Sequence, residues 1–437
     1  MQAIPANFLS QQTSPPPPQN ITPHLLNQLV EKIHISRGKY IFDDSPTLDS
    51  DIPVTNAESH KDSNKPSNKT SLQDSPAVKL YELLSQSSSI STLTSDDLSL
   101  LMTMIQQNML VPVPEVPQQY IYSDRIAKLL LDNWDEVNYL HKILLVLIRN
   151  ANSSLLSSYF TPDFIRSLIG ILNSPDLNEQ ISIEFIVSTL FEKYPHTIEI
   201  IFNESLSRIE NHLHGGKTYF CVSSCLKFIL TYFKQPICNI DSPDIFEYKI
   251  FPLFSSYFLQ EFYHNLNSIC SMYYGMFQSL SASSLKYLLS HWPIAHTSKQ
   301  ITYIRHIAVI APYLSETALG DCIVSLIKRL SKCLRSPNYK IVLNTLQLIG
   351  NASFVYMFSS FSKEIISALY KPLVALKTNW SPEVQTKLES VFDILDDLNP
   401  KFYKTYKKAF KNNTLPPEEV KEDKVEIRKT IIFKVKD

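Results

Sequence analysis

Glycine is scarce in this chain, with only 7 among 437 residues. Phosphate-cradling loops and sharp strand-to-helix turns need positive φ and close backbone approach, which glycine supplies. No GxGxxG or GxxxxGKS/T pattern occurs, and the one adjacent pair is Gly215-Gly216. Glycine-loop nucleotide-binding α/β folds are thereby excluded. Charge is also sparse: charged residues make up 19%, against a typical level of roughly 25%. Lys+Arg at 41 against Asp+Glu at 42 leaves a net charge of -1, so no global field favours nucleic acid or an anionic membrane. The longest strongly apolar run, Ile143–Ile148, falls far short of the roughly 20 residues a membrane span needs. The six cysteines (Cys221, Cys225, Cys238, Cys270, Cys322, Cys333) follow no framework spacing and read as reduced, buried thiols. The first residues, MQAIPANFLSQQTSPPPP, show neither a basic n-region nor an apolar h-region. A soluble, intracellular protein is expected, cytoplasmic with the nucleus as a second location, and with no membrane insertion.

Catalytic patterns are missing too. There is no HExxH, no CxxC pair and no GxSxG. His212 and His214 flank Leu213 beside the glycine pair, but without an acidic or thiol partner they read as a solvated turn rather than a metal site. Asp241, Asp244, Asp396 and Asp397 read as helix ends and turns. The run KFYKTYKKAFK (401–411) alternates lysines with aromatics, a combination that can hold single-stranded nucleic acid. Its Phe402, Tyr403, Tyr406 and Phe410 recur at helical spacing, which instead predicts a terminal helix with one packed face and one lysine face. No enzyme activity, cofactor, metal or nucleic-acid partner is expected.

What the chain does have is apolar residues, at 44%, and a helical period. Leu, Ile, Phe and Tyr recur every three or four residues, in runs broken by Pro, Asn or Ser. The second helix of each expected pair gives the series 134–148, 178–194, 219–233, 265–277, 301–314, 338–350 and 382–395, with an earlier pair at 76–110. Starts about 37–46 residues apart match the period of HEAT or armadillo arrays. One helix pair cannot bury its own apolar face, so neighbours stack to close a continuous core. The expected fold is all-α, a curved α-solenoid of roughly seven or eight HEAT-like (armadillo-like) helix-pair repeats over residues 76–410. Residues 1–75 read as a largely disordered N-terminal arm, because their polar, proline-rich composition cannot offset its ordering entropy. Within it LLNQLVEKIHI (25–35) reads as a transient helix, the other reading being a short docking helix. Residues 411–437 read as a charged tail in which VEIRKTIIFKV has enough β-branched residues to dock as a strap.

Three helix junctions are chemically unusual. HWPIAHTSK (291–299) stops a helix at Trp292-Pro293, where the proline ring disfavours helical geometry at the preceding residue. KCLRSPNYK (332–340) turns at Ser336-Pro337, and KTNWSPE (377–383) sets Trp380 before a capped helix start at Ser381-Pro382-Glu383. Packing and capping account for each string taken alone. Taken in order, they resemble the B-prime (B′) family of protein phosphatase 2A regulatory subunits. The family's Trp-Pro followed by His, a small hydroxyl residue and Lys is matched by Trp292, Pro293, His296, Thr297 and Lys299. Its Leu-x-Lys-Cys-x-x-Ser-Pro is matched by Leu330, Lys332, Cys333, Ser336 and Pro337, and its Lys-Thr-x-Trp by Lys377, Thr378 and Trp380. The stretches 132–148 and 159–180 also look like the family's early repeats.

The resemblance implies a non-catalytic solenoid that bridges a phosphatase scaffold subunit and a catalytic subunit in a heterotrimer and recruits phosphoprotein substrates. Trp292, His296, Lys299, Ser336 and Asn338 are the partner-binding residues it suggests. Family members read a short Leu-x-x-Ile-x-Glu motif with a His-Arg pair on a mid-chain helix. Ser188 and Thr189 stand at those positions here, with Phe191 where a Tyr is usual, so the motif's Glu is expected to lose its cationic partner. The family's Trp-Asn-Asn-Glu-Tyr string is reduced to Asn351 within QLIGNASF (347–354). The alternative reading is a HEAT-type adaptor that no longer assembles with a phosphatase.

Overall fold

A computed structural model describes residues 22–42, 74–86, 90, 93–116, 118–122, 129–216, 219–236 and 242–412. The chain divides into two compact units, Met1–Tyr232 and Phe233–Asp437.

The first unit contains α1 (Pro23–Val30), β1 (Tyr40–Phe42), α2 (Pro76–Gln86), α3 (Ser95–Asn108), α4 (Gln118–Ile121) and β2 (Leu129–Leu131). It continues with α5 (Trp134–Asn150), α6 (Ser153–Leu156), α7 (Pro162–Gly170), α8 (Leu177–Lys193) and α9 (Ile198–Leu213), and α10 (Phe220–Phe233) reaches its boundary. Helices α2, α5 and α8 pack in succession as one layer, and α7 packs on α9. Local chemistry sets the starts. Thr94 and Asp97 form a capping box at α3, Thr161 caps α7 ahead of Pro162, and Asp176 accepts from the Asn178 N–H at the start of α8.

The second unit contains α11 (Leu259–Met276), α12 (Ser279–Ser290), α13 (Thr297–Ile310), α14 (Glu316–Leu334), α15 (Tyr339–Ile349), α16 (Ala352–Met357), α17 (Ser362–Ala375), α18 (Pro382–Leu398) and α19 (Pro400–Lys411). Helices α11, α13, α15 and α18 pack each on the next, while α12, α14 and α17 form a second layer. This is the two-layer stack expected of helical repeats. Helices α5, α8, α10, α11, α13, α15 and α18 begin at 134, 177, 220, 259, 297, 339 and 382, a period of about forty residues. Helix α19 packs on α17 and α18 through its aromatic face. Tyr370 is met edge-on by Tyr403, Tyr406 and Phe410 at 5.3–5.7 Å, and Lys401, Lys404 and Lys408 stay exposed. The terminal-helix reading of 401–411 therefore holds.

Residues 22–42 overturn part of the expected arm. Thr22 caps α1 ahead of Pro23, and Leu26, Val30 and Ile33 are buried where α1 packs on α2 and α3. Downstream, Tyr40–Phe42 pairs antiparallel with Leu129–Leu131. The transient helix is a docked one, because Leu26, Val30 and Ile33, spaced three or four residues apart, fall on the face that meets α2 and α3. The tail readings of residues 1–21, 43–73 and 413–437 lie outside the described residues. Cys221, Cys225, Cys270, Cys322 and Cys333 are free and buried, and Cys238 also lies outside.

Candidate functional site

In the second unit the loops that start α11, α13, α15 and α18 line one edge of a layer. His296 and Tyr257 meet at 5.1 Å between ring centroids, and Tyr339 and Trp380 at 5.3 Å. Between these pairs, Arg305 Nε of α13 donates to Asn344 Oδ1 of α15 at 3.0 Å. Starts lie beside starts, so the helices of this layer run parallel and their entry loops form a continuous rim.

Most of the residues suggested by sequence build that rim rather than face outward. Trp292 is 8% exposed: its ring meets Tyr303 edge-on at 5.7 Å, and Nε1 donates to Gln300 Oε1 at 3.2 Å. The Arg329 guanidinium lies 5.2 Å from its centroid. His296 caps α13, its Nδ1 accepting from the Lys299 N–H at 3.3 Å. Lys299 Nζ donates to the Ser255 carbonyl at 2.7 Å, and burial pushes its pKa below the ordinary lysine value. Ser336 Oγ accepts from the Asn338 N–H at 3.2 Å, and Asn338 Oδ1 accepts from the Lys340 N–H at 3.0 Å, opening α15. At α18 the expected Ser381 cap makes no side-chain bond. Asn379 does that work, accepting from the Ser381 N–H at 2.9 Å through Oδ1 and from Gln385 Nε2 at 2.6 Å through its carbonyl.

The rim also carries large side chains that stay exposed to solvent. Ile294 is 78% and Trp380 74% exposed, and Tyr257 is exposed as well. Such residues, held on capped and therefore rigid loops, suit protein docking. Sequence reasoning singled out Trp380 only as part of a junction string, and it did not single out Tyr257 or Ile294. For Ile294 a signal existed: an aliphatic residue in a Pro-x-Ala turn has no helix face to bury it.

The substrate-motif residues sit on α8 in the first unit. Thr189 is buried and donates to the Phe185 carbonyl at 2.8 Å, and Phe191 packs within the core against Phe228. Ser188 alone of the three reaches the surface, half-buried. The face of α8 turned to solvent carries Leu177, Ile181 and Phe185, with the Arg149 guanidinium 4.7 Å from the Phe185 ring. Glu184 is tied down by Ser224 Oγ at 2.6 Å and Lys227 Nζ at 2.7 Å. His212 ends α9, and His214 caps it with its ring Nδ1 2.9 Å from the Glu210 carbonyl. Among the described residues no group of three or more His, Cys, Asp or Glu side chains could hold a metal ion, and no helix is long and apolar enough to cross a membrane.

Comparison with known proteins agrees with the junction strings. Residues 53–433 match the family described as protein phosphatase 2A regulatory B subunit (B56 family), a span that takes in α2 through α19. The B′ eta 59 kDa regulatory subunit of serine/threonine protein phosphatase 2A from Arabidopsis thaliana is 20% identical over 295 residues, covering 64% of this chain and 56% of that protein. The B′ delta 55 kDa subunit from the same plant is 20% identical over 303 residues, 66% of this chain and 62% of its own length. The 56 kDa regulatory subunit alpha isoform from Homo sapiens is 17% identical over 308 residues, 69% of this chain and 62% of that protein. The chain thus spans 56–62% of the length of these three relatives. Identity this low leaves individual contacts open to divergence, but the family match runs through every repeat of both units. The chain belongs to the B56 (B′) family of protein phosphatase 2A regulatory subunits.

Proposed function

We propose that this chain is a non-catalytic regulatory and substrate-targeting subunit of a protein phosphatase 2A-type Ser/Thr phosphatase, binding a scaffold and a catalytic subunit. The family match over 53–433 carries this reading. The rim of the second unit supports it, since its apolar side chains stand on loops rigidified by His296, Asn338 and Asn379. Such a subunit acts by effective concentration, holding a phosphoprotein near an active site that belongs to another chain. Affinity capture of the full chain tests it. Scaffold and catalytic phosphatase subunits are expected to co-purify, and Trp380→Ala with Ile294→Ala should weaken their recovery. Recovery of neither subunit would favour an adaptor that has lost phosphatase assembly.

Substrate reading is proposed to differ from the family's usual one. No Arg or His stands at 188 or 189, and Thr189 is committed to the Phe185 carbonyl. A charge-assisted bond to the motif's Glu is therefore lost at those positions. Titration of a fluorescent Leu-x-x-Ile-x-Glu peptide should show no tight binding; low-micromolar affinity would rule the idea out.

A further inference from the structure

The solvent side of α8 is apolar where a solvated helix face carries charge. Leu177, Ile181 and Phe185, spaced four residues apart, are 61%, 57% and 48% exposed and form one row along the helix. From Leu177 to Phe185 the helix rises about 12 Å, at roughly 1.5 Å per residue. Glu184, the charged residue beside Phe185, is drawn away to Ser224 and Lys227 of α10. Exposed aliphatic and aromatic side chains in a continuous row mark a surface that another chain covers.

Helix α5 runs beside this row in the same direction. Trp134 and Asn178 line one cavity, His141 Nδ1 lies 3.0 Å from Ser182 Oγ, and the Arg149 guanidinium lies 4.7 Å from the Phe185 ring, three contacts in the same order along both helices. The two ends of the row differ in charge. At the Leu177 end an open cavity of about 250 Å³ is walled by Ile41, Leu130 and the half-buried Trp134, together with the exposed Asp132 and Asp135. No lysine or arginine lines it, and among the described residues neither Asp132 nor Asp135 enters an ion pair. An indole beside free carboxylates suits a cationic side chain. At the Phe185 end stands Arg149, exposed and likewise outside every ion pair among the described residues. A guanidinium held on an aromatic ring keeps its N–H groups for a carboxylate.

We propose that this face of α5 and α8 docks an extended segment of a partner protein that carries a basic side chain, then apolar side chains at alternate positions, then an acidic side chain. The basic side chain enters the Trp134 cavity beside Asp132 and Asp135, the apolar ones lie along Leu177 and Ile181, and the acidic one pairs with Arg149. An extended chain rises about 3.3 Å per residue, so a basic and an acidic residue six positions apart stand roughly 20 Å from each other. That spans the apolar row and the reach into the cavity. The row supplies the hold, and opposite charges at its two ends fix the register. None of these contacts uses positions 188 or 189, and none depends on assembly with a phosphatase.

A fluorescein-labelled peptide of sequence GRALAVAEG, titrated by anisotropy against the full chain, tests this. Saturable binding is expected, weakened about tenfold by Ile181→Asp and about fivefold by either Arg149→Glu or Asp135→Lys. All three side chains are exposed, so the fold should survive each change. Charge pairing gives the sharper readout. A peptide with lysine in place of its glutamate should regain affinity for the Arg149→Glu chain, and one with glutamate in place of its arginine should regain it for the Asp135→Lys chain. No saturable binding, equal binding to the unaltered and Ile181→Asp chains, or failure of either rescue overturns the proposal. Self-association that Ile181→Asp abolishes, read by sedimentation, overturns it too, because the occupant would then be a second copy of this chain.

Discussion

His141 in the first unit and His306 in the second are both fully buried, and burial pushes the pKa of each down to about 3. Their surroundings differ. His306 Nδ1 lies 3.2 Å from both the Tyr263 hydroxyl and Asn267 Oδ1, Nε2 lies 3.0 Å from the Tyr274 hydroxyl, and Phe254 packs 4.5 Å from the ring. All of these partners lie at or before α11, the neighbour of α13 in the stack. His141 Nδ1 reaches Ser182 Oγ at 3.0 Å, Nε2 has no partner, and the nearby Arg37 charge further opposes its protonation. At His306 repeat-to-repeat packing supplies partners for both ring nitrogens. At His141 one ring nitrogen has none, and the charge that faces it is delivered from outside the repeats.

Acid should expose this contrast most strongly. The folded state holds both rings neutral, so the unfolded state binds more protons below the ordinary histidine value of 6.5. Stability present above pH 6.5 is lost as pH falls toward about 3, on the order of 5 kcal/mol per histidine at roughly 1.4 kcal/mol per pH unit. Glu179 acts in the opposite sense in the first unit alone. Burial raises its pKa above the ordinary 4.5 against the lowering effect of Arg37, so protonation as the pH drops through that raised value favours the folded state. Hydrogen-exchange protection across this range should fall more steeply in α13 than in α5. Equal slopes would remove the distinction.

Substitution of the histidines should give the next largest difference. His306→Leu removes a hydrogen-bond partner from the buried Tyr274 hydroxyl, from Tyr263 and from Asn267, a loss of about 2–4 kcal/mol at roughly 1–3 kcal/mol per affected buried group. His141→Leu frees a single hydrogen-bond partner, the half-buried Ser182, while the leucine can keep an apolar contact with the Trp134 ring, and should cost about 1 kcal/mol. Urea denaturation compares the two, and similar losses would break the contrast. Tyr40→Phe deletes one hydroxyl bond to Ser174 and should cost about 1 kcal/mol, with the loss of protection confined to the first unit. Trp380→Ala is the smallest effect expected on stability, within about 0.5 kcal/mol by thermal melting, because the ring is 74% exposed. Its effect should appear in partner capture instead.

Local rules read well in this chain. Thr161-Pro162, Ser336-Pro337-Asn338 and Asn399-Pro400 each sit where a helix begins, because caps and N-terminal prolines act within three residues. The aromatic stripe of α19 was legible for the same reason, its period fixing which face packs. Helix α8 was not. LNEQISIEFIVSTLFEK is apolar around most of its circumference, so the pattern could not say that Ile181 and Phe185 face solvent while Thr189 and Phe191 face the core.

By itself the sequence determined that the chain is a stack of helix pairs, where its helices start, and which family its junction strings belong to. These depend on residues a few positions apart or on ordered strings. Only the tertiary structure decided that Trp292 is an anchor while Ile294 and Tyr257 form the exposed rim. It alone showed that residues 22–42 are part of the body. Arg37 meets Glu179, Tyr40 meets Ser174 and Gly38 meets Asn133 across roughly a hundred residues or more of chain. Loop-closure entropy grows only slowly with such a separation, so a few well-placed polar contacts can order a segment whose composition gives no sign of it.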